Sequence, residues 1–100
     1  MPSEGAFILN GKEYGFTFNK ALATLDWGRG VWEYKSYWNW ASSSWFLPDG
    51  TRFGLNLGLG FGDLSYATEN CFFIDGKMHK LDKVTFNYDN TDFMKPWHFG

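Results

Sequence analysis

Seven side chains in this sequence are of types that hold ligands or move protons: Arg29, Trp32, Trp38, Trp40, Asn56, Glu69 and His79. Arg29 lies between Gly28 and Gly30 in DWGRG, where a guanidinium fork could take a carboxylate or phosphate. The same corner suits a structural ion pair, with Asp26, Glu33 or Glu69 as the expected acceptor in that order. Trp32, Trp38 and Trp40, with Tyr34, offer an apolar wall for a lipid or a stacking surface for a sugar. Asn56 stands alone among Gly54, Gly58 and Gly60, and either meets a ligand or hydrogen-bonds backbone at a bulge. Glu69 adjoins Asn70 as a strand begins; neighbours on a strand face opposite ways, so only one of them lines a given cavity. In an aromatic cavity Glu69 would serve as a general acid or base; the plainer alternative pairs it with Arg29 or Lys80. His79 suits proton transfer, or is a partly exposed, hydrogen-bonded surface residue.

Several chemistries are excluded. His79 and His98 lie far apart, with no further His, Cys or Asp at ligand spacing, so no metal site is expected. Ser42, Ser43 and Ser44 lack the G-x-S-x-G setting of a nucleophile elbow. FGLNLGLGFGD does not match the glycine pattern of a dinucleotide loop, and no cofactor is expected. The net charge of −2 comes from 11 acidic and 9 basic residues. These are spread without runs, which argues against a nucleic-acid partner. No apolar window approaches the roughly 20 residues of a membrane span. The start, MPSEGAF, does not read as a secretory leader. Cys71, the single cysteine, reads as a small buried hydrophobe, and a reducing, cytoplasmic setting is expected.

The elements that must position these residues are strands. Asn10-Gly11, Asp49-Gly50 and Asp75-Gly76 each separate alternating apolar runs, the pattern of hairpins with type I′ turns. Phe7–Leu9 and Glu13–Phe18 form the first hairpin in this reading, and Lys20–Leu25 a further strand in preference to a helix. From Val31 the alternation predicts one strand with Trp32, Tyr34, Trp38 and Trp40 on a single, mostly buried face. In the returning strand Phe53, Leu55, Leu57, Leu59 and Phe61 share one face, and Gly54, Asn56, Gly58 and Gly60 the other. Glycine weakens a strand unless something needs the space, and neighbouring indoles are its expected occupants. Thr68–Ile74 and Met78–Tyr88 make another hairpin, and the tail holding Pro96 is an edge or a connection. The prediction is one all-β antiparallel domain over residues 1–100, of seven or eight strands in a curved sheet or partly closed barrel.

The stretches LDWGRGVWEYKSYWNWAS, DGTRFGLNLGLGFGD and TENCFFIDGKMHKL, followed by the V-F-Y pattern of KVTFNYD before Pro96-Trp97, carry a resemblance. The chain resembles the uncharacterised domain of unknown function 2804 family. Members of that family look longer, so the resemblance implies a portion of a longer protein. It also implies a distantly lipocalin-like fold, similar to carotenoid hydratases and tocopherol cyclases, holding a hydrophobic lipid or isoprenoid-like molecule. It assigns no catalytic residue.

Three functions compete on the sequence: a lipocalin-like domain for a hydrophobic small molecule, a carbohydrate-binding module, or a structural and assembly domain. A closed aromatic cavity favours the first, a solvent-facing row of indoles the second, and full packing the third. A curved sheet this rich in Phe and Trp leaves apolar surface open, so a homodimer is expected, centred on Val31–Trp45 or Thr91–Phe99.

Overall fold

The computed structural model describes residues 1–100 and is all-β. Its strands are β1 (Gly5–Leu9), β2 (Lys12–Phe16), β3 (Asn39–Phe46), β4 (Arg52–Leu59), β5 (Cys71–Ile74), β6 (Lys77–Lys80), β7 (Phe86–Asn87) and β8 (His98–Phe99). They form three antiparallel sheets, β1-β2, β3-β4-β5-β6 and β7-β8, none of which closes on itself. No helix is long and apolar enough to cross a membrane.

The turns explain the hairpins. Asn10-Gly11 and Asp75-Gly76 have positive φ at both residues, as a type I′ turn requires. Asp49-Gly50 differs from expectation, because only Gly50 is left-handed (φ 85°). Gly50 N–H donates to Leu47 O at 2.8 Å, and Leu47 N–H to Thr51 O at 2.8 Å. That is a type I turn with Pro48 at its favoured second position, closed by a glycine bulge. The Asp75 carboxylate accepts from Arg52 N–H at 3.0 Å and from Arg52 Nε at 3.3 Å. These bonds, the backbone one foremost, hold its carboxyl below the usual aspartate range.

Alternation assigns the faces of the central sheet. Trp40 lies across from Gly58, Ser42 from Asn56 and Ser44 from Gly54, and Asn56 and Gly54 lie across from Cys71 and Phe73. The other face carries Trp45, Phe53, Phe72 and His79. Their rings form a continuous row at centroid spacings of 4.7, 5.9 and 4.8 Å.

Three predicted strands are corrected, and one of them, Met78–Tyr88, breaks after Lys80 and resumes only as the two-residue β7 in a different sheet. Lys20–Leu25 makes only a single bridge, Leu22 to Pro2. There Ala23 N–H donates to Met1 O at 2.8 Å, and the segment lies as a strap over the first face, where Ser44 Oγ reaches Leu22 O at 3.5 Å. Val31–Trp38 is irregular, and β3 begins only at Asn39. A strand needs a partner, and β4 ends at Leu59 because Gly60 turns away with φ 92°. Trp32, Trp38 and Trp40 therefore do not share one strand face. Trp32 and Trp38 instead meet Phe61 edge-on, at 5.6 and 5.2 Å.

Nor are these indoles buried: Trp32, Trp38 and Trp40 are 59%, 46% and 47% exposed. Only six of the hundred residues are buried, with Leu57, Cys71 and Val84 as the apolar ones. The radius of gyration is 16.4 Å, against about 13 Å for a compact chain of this length. A single layer of sheet has two faces, and here little protein lies on either.

β7 and β8 join the rest through Tyr37 and Tyr88, whose hydroxyls are in short contact. The Tyr37 hydroxyl also lies 3.1 Å from Asn39 Oδ1, which competes with Tyr88 for its single proton, and Tyr88 stacks on Trp97 at 4.2 Å. Hydrogen bonding from Tyr37 lowers the Tyr88 phenol, and the same bond raises that of Tyr37. Alkaline titration followed by phenolate absorbance is expected to show one tyrosine ionising early and one late. In Tyr37→Phe the early one returns to the ordinary range. A single uniform transition, unchanged in the variant, contradicts this contact. Further along, Asp89 is held at about 2, chiefly by Lys95 Nζ at 2.5 Å and then by Thr91. Its folded value is below the ordinary 3.8, so its stabilisation is present above that value and is lost as pH falls toward about 2.

Candidate functional site

The strap and the first face of the central sheet flank an open cleft of about 420 Å³, with the strap side chains Leu25 and Trp27 largely exposed to solvent. Thr24, Leu25, Asp26 and Trp27 form one wall. Trp40 and Ser42 of β3, Asn56 of β4, Cys71 and Phe73 of β5, and the preceding Glu69 form the other. A smaller cavity of about 200 Å³ lies against the strap at Leu22 and Ala23 and is mostly apolar.

A chain of hydrogen bonds crosses the cleft floor. Trp40 Nε1 donates to Asn56 Oδ1 at 3.0 Å, which fixes the Asn56 amide with its nitrogen outward. That nitrogen donates to Glu69 Oε2 at 2.7 Å, and lies 3.4 Å from Glu69 O. Asn56 thus bonds two side chains and also a backbone carbonyl, that of Glu69. Glu69 pairs with neither Arg29 nor Lys80, correcting that alternative; Lys80 Nζ donates to Thr68 O.

Gly58 explains why Glu69 fits. A Cβ built on Gly58 would lie 2.7 Å from Glu69 Cδ and 2.9 Å from its Cγ. The space on the glycine face belongs here to a carboxylate side chain and not to an indole. If that space were empty, Gly58→Ala would stabilise the strand by roughly 0.5–1 kcal/mol. With Glu69 there, alanine displaces the carboxylate and deprives Asn56 of its acceptor. The expected outcome in urea denaturation is that the lost hydrogen bond offsets the alanine gain, leaving stability within about 0.5 kcal/mol of the parent; the full gain would contradict the placement.

Asn70, next in sequence, does different work. It is buried, and its Oδ1 accepts the N–H of Gly58 at 2.6 Å. Backbone pairing between β4 and β5 stops at Asn56 and Cys71, so the Asn70 side chain continues the ladder beyond it.

Of the seven residues singled out by the sequence, the structure brings Trp40, Asn56 and Glu69 together. His79 lies on the opposite face, stacked on Phe72 with planes 9° apart. Trp32 and Trp38 belong to the Phe61 cluster. Arg29 makes no ion pair, which corrects the expected corner salt bridge. The glycines beside Arg29 make room for Trp32, whose ring approaches the Cβ positions of Gly28 and Gly30 to 3.5 and 3.1 Å. Sequence reasoning missed Asp26, Trp27 and Ser42 as cleft residues, because their placement depends on the strap crossing the sheet. No three His, Cys, Asp or Glu side chains group as a metal site would need.

The chain belongs to the family described as Domain of unknown function (DUF2804), whose model matches residues 1–100. No curated protein and no solved structure matches it.

Proposed function

We propose that this is a small-molecule-binding β domain, lipocalin-like in its use of an aromatic-lined cavity, and that its ligand is a hydrophobic, lipid or isoprenoid-like molecule held between strap and sheet. The observation that carries this is the cleft itself. Leu25, Trp27, Trp40 and Phe73 supply apolar wall around a few fixed polar groups, the usual composition of a ligand site. Titrating the protein with decanol while following tryptophan emission tests it. Saturable change, lost in Trp40→Ala, is expected; no saturable change sinks the reading.

A carbohydrate ligand is the second reading. It is favoured by the exposure of all six tryptophans, since half-open indoles beside Asn56 and Ser42 suit a sugar ring. A soluble oligosaccharide that binds where decanol does not would establish it.

For the open face carrying Trp45, Phe53, Phe72 and His79, a second copy of the chain is the proposed occupant. Two such aromatic rows related by a two-fold axis would cover one another, and Trp45 falls within the segment expected at a dimer centre. A stable interface needs about 1,000 Å² or more in total. Light scattering after size exclusion is expected to give twice the chain mass. A monomer at high concentration would instead favour cover by further β structure of a longer family protein.

A further inference from the structure

We propose that the cleft selects a ligand bearing an organic cation, an alkylammonium or quaternary ammonium group attached to the apolar body. This inference deepens the small-molecule reading and rests on it.

The charge and shape of the cleft carry the proposal. Two carboxylates, Asp26 and Glu69, line it, and no lysine, arginine or histidine does. Neither carboxylate is neutralised elsewhere. The ion pairs of the molecule are Arg52 with Asp75 and Lys95 with Asp89, and the nearest cation in sequence, Arg29, pairs with nothing. One Glu69 oxygen is engaged by Asn56, while the other lies over the bare backbone of Gly58, where any larger residue would displace it. Asn56 is in turn held by the Trp40 indole. The carboxylate is therefore positioned before a ligand arrives, so little ordering cost falls on binding.

Acceptor-only carboxylates beside aromatic rings define a ligand by its chemistry. A carboxylate or phosphate on the ligand would be repelled. A neutral hydroxyl would gain one hydrogen bond but leave the charge unanswered. A compact or alkylated ammonium answers the charge and is also attracted to indole faces. Trp27 and Trp40, on opposite walls, supply those rings. In this arrangement Glu69 sets specificity and Asn56 is a positioning residue.

Calorimetric titration with choline and with 3,3-dimethyl-1-butanol tests the idea, since the alcohol copies the shape of choline without its charge. Choline is expected to bind at least about tenfold more tightly, with affinity falling as salt rises. Glu69→Gln keeps an acceptor for Asn56 and removes the charge; it should bring the two compounds to near parity and abolish the salt dependence of choline binding. Asp26→Asn, at the strap, is an independent second variant with the same expected direction, and serves if Glu69→Gln fails to fold. Equal binding of the two compounds, insensitive to salt, overturns the cation inference and leaves the cleft reading standing. Binding of neither compound, nor of decanol, overturns both.

Discussion

Leu57→Ala is expected to lower the unfolding free energy by about 3 kcal/mol, within the usual range for truncating a buried leucine. Leu57 is 7% exposed and is one of three buried apolar residues in the chain. In a larger core the neighbours of a lost side chain close partly around the gap. Here the sheet has one layer, so little packed material stands ready to move in. Domains are stable by only about 5–15 kcal/mol in all, and this one buries few side chains. The loss should therefore appear as a sharply lower urea midpoint. A change below about 1 kcal/mol would mean that the centre of β4 does not anchor the domain.

Asn70→Ala is expected to cost about 2 kcal/mol, the penalty for leaving a buried backbone donor without a partner. Asn70 is 4% exposed, and its side-chain Oδ1 receives the Gly58 N–H at 2.6 Å. With alanine that N–H stays enclosed and loses its acceptor, and β4 should fray from Asn56 onward. Asn70→Asp retains an acceptor at that position, so the Gly58 N–H should stay bonded there even though the enclosed carboxylate carries its own desolvation cost. Amide exchange at Gly58 reads this directly: rapid exchange in Asn70→Ala, protection in the parent chain. Equal protection in both would show that the ladder ends without help from the side chain.

The hairpins were legible because their causes are local. Asn10-Gly11 and Asp75-Gly76 need only their own backbone to turn a chain, and the alternation of β4 needs only neighbours on either side. Val31–Trp38 shows where such reasoning stops. Its alternation is as regular as that of a strand, yet pairing depends on whether β4 continues past Leu59. The left-handed turn at Gly60, dozens of residues later in sequence, decides that. The same distance effect hid half of the candidate site. Trp40, Asn56 and Glu69 announce themselves by type, standing out among glycines and aromatics. Asp26 and Trp27 join them only because the strap, bridged to Pro2 at Leu22 and touched by Ser44 of β3, runs over that face of the sheet. Glycine beside a bulky residue was read correctly as reserved space, but the occupant at Gly58 came from the next strand connection and is charged.

The central claim is that the cleft under the strap, and not the aromatic row on the opposite face, is where a ligand sits. Proton–nitrogen correlation spectra recorded during a decanol titration separate the two, because indole N–H groups report from each. The account predicts progressive, saturable shifts of the Trp27 and Trp40 indole signals and of the Asn56 side-chain amide, with the Trp45 indole unmoved. Shifts at Trp45 with Trp40 and Asn56 unchanged would place binding on the other face and contradict it.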